Sequence, residues 1–225
     1  MRNLFCIFLL ISSLSFSQTN KVIDEHKTVF ITKSATDCKN AIPINLTKAV
    51  AFNYVNPPKG FGIQEIKSNS KTNQVFEQEH NSTWYLLFIK NDGELIFEIT
   101  PVDSTNDYDF LLYPYIDSTF CNDLKNEKIS PLRGNLSKPS NKSDGKTGLS
   151  SKAIKYVTVK GTETMFSKSI KVRAGEKYML VVDNATPNGK GYGVSFNCLQ
   201  KIAISGRITD ASKRPVKTII TLLDR

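Results

Sequence analysis

Thr83 to Thr100 reads TWYLLFIK-NDG-ELIFEIT. The first eight residues are apolar or aromatic nearly throughout. The last seven alternate apolar and polar at period two, the pattern of a half-buried strand. Asn91-Asp92-Gly93 between them is a turn signal, so the stretch predicts a hairpin of two strands. Pro101 closes the second strand.

Outward from this stretch the same grammar repeats. Tyr108 to Ile116, YDFLLYPYI, predicts a further strand. Ser169 to Val172 alternates, Arg173-Ala174-Gly175-Glu176 turns, and Lys177 to Val182, KYMLVV, predicts the partner of a late hairpin. After the loop Asp183–Gly191, Tyr192 to Cys198 alternates again. No window holds an apolar period of 3.6 over twelve residues, so helices are not expected. Short strands separated by turns predict an all-β, jelly-roll-like antiparallel β-sandwich over residues 35–200. Trp84, Tyr85, Phe88 and Phe97 are its expected aromatic core. On the strand at 110–113, Phe110 and Leu112 should face opposite to Leu111 and Tyr113.

The chain has 225 residues, 30 Lys and Arg against 21 Asp and Glu. Hydrophobic residues are 40%, enough to exclude a disordered chain. Residues 1–17 have the form of a secretory signal peptide. Arg2 precedes an apolar run from Leu4 to Phe16, and small residues Ser15 and Ser17 stand before Gln18. The run is too short for a membrane-spanning helix, which needs ~20 apolar residues. Cleavage would remove Arg2 and leave 29 − 21 = +8. Residues 18–34 read as a polar, loosely held leader.

Export permits disulfides. Cys38, Cys121 and Cys198 would remain after cleavage, so at most one internal bridge forms. First and last strands of a sandwich often lie side by side, so Cys38–Cys198 is the expected pair. The alternative is three small buried apolar residues.

Residues 122–152 are polar and carry six Lys and one Arg against two Asp and one Glu, a net of +4. The stretch reads as a mobile basic surface loop, with Pro131-Leu132-Arg133 and Thr147-Gly148-Leu149 as spots that could pack back on the sandwich. It lacks interleaved aromatics, and the exported location removes nucleic acid as a partner. Net charge favours acidic envelope polysaccharide instead.

Catalytic constellations are missing from the sequence. There is no H-E-x-x-H, G-x-S-x-G or phosphate-binding loop. His80 is the one histidine inside the expected domain; His26 lies in the leader. Asp103, Asp107, Asp109 and Asp183 are the candidate ion ligands. The sandwich could bring them to one end as a calcium site, since calcium takes 6–8 oxygen ligands. Their commoner role is to form and cap turns.

Trp84-Tyr85, Asn91 to Leu95, and Asp107-Tyr108-Asp109-Phe110-Leu111-Leu112-Tyr113, with Gly175-Glu176-Lys177-Tyr178 and Val181-Val182-Asp183-Asn184, resemble the bacterial pre-peptidase C-terminal type of secreted jelly-roll module. The resemblance covers roughly residues 36–198 and is closest to versions in Bacteroidetes-type surface and outer-membrane proteins. In those the Phe120-Cys121 pair also recurs. Ile204-Ser205-Gly206-Arg207-Ile208-Thr209-Asp210 with Pro215-Val216 resembles the opening of a carboxypeptidase-regulatory-like domain, a small transthyretin-like sandwich. Residues 201–225 would then be the first hairpin of a second, truncated β domain, with further domains following. These resemblances imply a non-catalytic binding or adhesive module of a Gram-negative cell envelope, in the periplasm, outer membrane or cell surface. Its partner would be envelope polysaccharide, peptidoglycan or protein. The other implied reading is the accessory N-terminal region of a secreted peptidase whose catalytic domain lies beyond Arg225.

Overall fold

A computed structural model describes residues 28–200, apart from 31–32, 57–58, 61, 68–75, 77, 141–142, 160–163 and 187–189, and also residues 211–214. The expected signal peptide, 1–17, therefore lies outside the described residues, as does the expected carboxypeptidase-regulatory-like hairpin, 201–225, apart from 211–214.

The described chain is an all-β sandwich. Its strands are β1 (Thr28–Phe30), β2 (Ile42–Leu46), β3 (Val50–Asn56), β4 (Ser82–Ile89), β5 (Gly93–Pro101), β6 (Tyr108–Pro114), β7 (Arg133–Asn135), β8 (Thr147–Ser150), β9 (Val157–Thr158), β10 (Phe166–Lys168), β11 (Ile170–Val172), β12 (Lys177–Asn184) and β13 (Tyr192–Leu199). One short helix, α1 (Phe120–Lys125), interrupts them, together with two 3-10 turns at Lys33–Thr36 and Cys38–Asn40. The first sheet runs β1-β3-β13-β5-β8-β10, with β11 also on β5. The second runs β2-β4-β12-β6-β7-β9.

The sheets are mixed rather than purely antiparallel. The central pairs β4/β12, β6/β12, β5/β13 and β3/β13 are antiparallel. Parallel pairs β1/β3, β2/β4, β7/β9 and β8/β10 extend the sheets outward. The end of the expected loose leader is thus a strand, β1.

The stretch that opened the sequence reading is not a hairpin. β4 lies in the second sheet and β5 in the first, so Asn91-Asp92-Gly93 arches between sheets. The late pair behaves alike: β11 joins the first sheet and β12 the second. The reason lies in the burial of the strands. TWYLLFI is apolar on both faces, and β4 is covered on both faces over most of its length. ELIFEIT is apolar on one face, and β5 alternates between buried and half-buried residues. The outer apolar layer covers only the second sheet, so the doubly apolar β4 pairs with β12 there, while β5, apolar on one face, pairs with β13 in the first. Gly175, at φ +91°, supplies the left-handed turn of the second arch. The two arches touch where Ala174 N–H donates to Asp92 Oδ1 at 2.8 Å.

Between the sheets, Ile44, Tyr85, Leu87, Phe110, Leu112 and Leu180 of the second sheet meet Leu95, Phe97, Leu149, Val194 and Phe196 of the first. Phe97 and Phe110 pack edge to face at 4.9 Å between centroids. The Tyr85 and Tyr192 hydroxyls share a hydrogen bond of 2.7 Å across the gap. A second apolar layer covers the outer face of the second sheet. There Trp84, Leu111, Tyr113, Met179 and Val181 pack under Cys38, Ile66, Phe76, Phe120, Leu124 and Leu136. Phe110 and Leu112 therefore face away from Leu111 and Tyr113, as the strand period requires. Phe88 is half-buried, with the Lys90 and Lys177 ammonium groups 5.7 and 5.6 Å from its ring centroid.

The basic 122–152 stretch is largely built into the sandwich. α1 closes the outer layer, β7 pairs with β6, and β8 pairs with β5. Both apolar spots foreseen there are used: Leu132 packs on the inter-sheet core and Leu149 is buried in it.

Candidate functional site

Buried titratable side chains lie over the outer face of the second sheet. Glu65 and Glu79 come from the chain between β3 and β4, and Asp183 stands at the end of β12 beside Asp109 of β6. Glu79 Oε1 accepts the backbone N–H groups of Glu65 and Ile66 at 2.7 and 2.8 Å, and its Oε2 accepts the Ser82 hydroxyl at 2.8 Å. Glu65 Oε1 accepts the Cys38 N–H at 3.0 Å. Asp37 Oδ1 accepts the Ile63 N–H at 2.7 Å. Residues 62–66 have no strand ladder of their own, so carboxylates satisfy their backbone donors instead.

Burial, then the neighbouring Glu79 carboxylate, pushes the Glu65 carboxyl up to about 8. Burial pushes Glu79 up to about 7 against the hydrogen bonds it accepts. The Tyr113 phenol on the same face is raised by burial and by Glu79. These glutamates belong to no motif, and nothing in the local sequence singles them out.

His80 stands beside this pair. Its Nδ1 lies 2.8 Å from Asp183 Oδ2, while Asp183 Oδ1 accepts the N–H groups of His80 and Asn81 at 2.8 and 2.9 Å. Asp183 is 1% exposed, so its charge is spent on fixing this turn and the imidazole. A buried carboxylate orienting an imidazole is half of a proton-transfer arrangement.

Of the four candidate calcium ligands, Asp109 is buried on β6 opposite Asp183, and the other three serve turns. Asp183 serves His80 and Asn81 as above. Asp103 Oδ1 caps Thr105, and its Oδ2 meets Lys190 Nζ at 3.4 Å. Asp107 lies beside the 185–186 turn, accepting the Ala185 N–H at its carbonyl while its own N–H donates to Thr186 Oγ1. Among the described residues, no three His, Cys, Asp or Glu side chains gather in a group that could hold a metal ion. The turn-capping role is the one the geometry displays for Asp103 and Asp183.

The disulfide is Cys38–Cys121, with Cα atoms 5.9 Å apart, not Cys38–Cys198. Cys38 and Cys121 both belong to the layer over the second sheet. Cys198 sits on β13 in the first sheet, opposite Leu95, as a half-buried free thiol. The second sheet and the inter-sheet core separate it from Cys38, and sheets pack ~10 Å apart. A bridge needs Cα atoms within ~7 Å. Burial raises the Cys198 thiol above its ordinary pKa, which disfavours the reactive thiolate.

No described helix is long and apolar enough to cross a membrane. No family model matches the chain, and no curated protein matches it. Among solved structures the chain is distantly similar to CorA of Methylomicrobium album BG8, a surface-associated copper-binding protein important in copper acquisition. The identity is 9% and the TM-score 0.37, over 70% of this chain and 98% of that one. A likeness this remote bears on neither metal nor activity.

Proposed function

We propose that this chain is an exported, non-catalytic β-sandwich module of the bacterial cell envelope, binding or adhering to envelope polysaccharide, peptidoglycan or protein. The observation that carries this reading is the Cys38–Cys121 disulfide, which ties the first turns of the domain to α1 across 83 residues. Such bonds persist in oxidising compartments and are rare in the cytosol. The bridge agrees with the signal-peptide pattern of residues 1–17. The binding role agrees with how the polar groups are used. Glu79 and Asp183, the acids best placed for chemistry beside His80, are committed to backbone donors.

Two measurements test the reading. Cell fractionation should find the chain outside the cytosol with Cys38 oxidised; a cytosolic, reduced chain would overturn export. A glycan array with a pull-down from envelope extract should retain a glycan or an envelope protein. Silence in both would overturn the binding role.

A further inference from the structure

β9 is the outer strand of the second sheet, and the chain around it carries cations next to an exposed aromatic ring. Tyr156 is 56% exposed and Ile154 81% exposed. The Arg133 guanidinium lies under the Tyr156 ring, Cζ 4.4 Å from its centroid, and Lys168 Nζ lies 5.5 Å from the same centroid. The backbone fixes these residues together: Gly134 N–H donates to Tyr156 O, and Lys168 N–H donates to Lys155 O at 2.7 Å.

Arg133 is the unusual member. It is 9% exposed. Its guanidinium donates only to main-chain carbonyls, those of Leu132, Lys168 and Ser169. Buried cations ordinarily have an anionic partner. Among the described residues no carboxylate pairs with Arg133, Lys155 or Lys168. Among the described residues the edge therefore holds a focused positive potential with no carboxylate paired to its cations. It also presents a ring whose orientation is already fixed by the cations against it.

We propose that this edge binds a carboxylated polysaccharide, a chain of uronic acid residues. A sugar's C–H face would stack on Tyr156 while Lys155, Lys168 and the Arg133 field take its carboxylates. A repeating acid matches a row of cations, and a pyranose matches an exposed ring. This rests on the envelope-binding reading and names its partner.

The test is affinity electrophoresis and titration calorimetry of the full chain with polygalacturonate, with neutral dextran and duplex DNA as comparisons. Polygalacturonate binding should weaken as salt rises through the physiological range. Tyr156→Ala and Lys155→Gln/Lys168→Gln should each weaken it about tenfold, the scale of losing one partly desolvated aromatic or cationic contact. Tyr156 and Lys155 are exposed and Lys168 is half-buried, so circular dichroism should show each variant folded at the temperature of the titration. Lys48→Gln, beyond β2 at the opposite edge of the same sheet, should change nothing. Equal loss in Lys48→Gln, equal affinity for DNA or dextran, or indifference to Tyr156→Ala would each overturn the proposal. Retention of an envelope protein or neutral glycan without polygalacturonate binding would overturn it too, yet leave the envelope-binding reading standing. Failure of every envelope ligand would overturn both.

Discussion

Glu65→Gln should flatten the pH dependence of stability. In the folded chain burial and Glu79 raise Glu65 from 4.5 to about 8. Its folded pKa thus lies above its unfolded one, so the proton bound in the native state stabilises it in acid. That stability is complete below about pH 4.5, falls as pH rises, and is gone once pH passes about 8. The separation is some three and a half pH units, and each is worth about 1.36 kcal/mol, giving on the order of 5 kcal/mol in all. Between pH 5 and pH 9 the wild type should lose on the order of 4 kcal/mol from this group. For a chain of this size that corresponds to a fall of roughly 10 °C in Tm. The assay is thermal unfolding followed by circular dichroism from pH 5 to pH 9, on wild type and Glu65→Gln together. Gln keeps the acceptor for Cys38 N–H and cannot ionise. Titration away from the pair is common to both proteins, so the difference between the two curves isolates Glu65 together with its coupling to Glu79. A constant difference across the pH range would refute the claim that this carboxyl is buried beside another acid.

Three further outcomes follow from the packing. A non-reduced digest should join the Cys38 and Cys121 peptides, and Cys38→Ser/Cys121→Ser should cost about 4 kcal/mol in urea unfolding, the loop-entropy scale for a loop of this length; a Cys38–Cys198 peptide would refute the arrangement of layers. Gly148→Ala on β8 should cost more than about 2 kcal/mol, because a Cβ there would sit 2.1 Å from the Phe97 carbonyl oxygen at a φ of +150°; unchanged urea stability would show that β8 does not lie against β5 in this register. Trp84, the single tryptophan, is 0% exposed. Its native fluorescence should be blue-shifted and resist iodide quenching until the chain unfolds, and solvent-like emission from folded protein would remove the outer layer over the second sheet.

Strand identity was legible at β4, β5, β6, β11, β12 and β13, where period two and unbroken apolar runs are local signals. Pairing was not, because it is decided by which face of each strand is covered. TWYLLFI and ELIFEIT look like the two arms of one hairpin until their burial is compared. A run apolar at every position needs two cores, and only the fold supplies the second, outer one. The same blindness explains the cysteines. Cys38–Cys198 follows from putting the ends of a sandwich together, but the partner of Cys38 is fixed by the outer layer, which α1 completes. α1 itself spans six residues, too short to show a helical period. Among the site residues, Asp183 and His80 stood out in the sequence by type and scarcity, and the structure joins them. Glu65 and Glu79 did not, since a lone glutamate in an irregular stretch reads as surface until the backbone donors around it are counted. Arg133 was visible only as one charge in a basic stretch; its burial without a carboxylate depends on β7, β10 and Tyr156 closing over it.

The outer layer explains why a disulfide and a buried carboxylate pair occur in the same place. Residues 36–38, 62–66 and 120–125 cover an apolar sheet face with little regular structure. A cover of that kind has two weaknesses: its backbone donors lack ladder partners, and its segments are far apart in sequence. Glu79, Glu65 and Asp37 meet the first, each accepting N–H groups that a neighbouring strand would otherwise take. Cys38–Cys121 meets the second by shortening the loop that the unfolded chain must close. The carboxylates act on the native state and the bridge acts chiefly on the unfolded one. Their effects should nonetheless couple, because Glu65 holds the N–H of Cys38 itself. In a double-mutant cycle, Glu65→Ala in the bridged chain should cost less than the same change in Cys38→Ser/Cys121→Ser, since the intact bridge keeps residue 38 in place when its acceptor is lost. Strict additivity would mean that the two devices hold separate pieces of the cover rather than one.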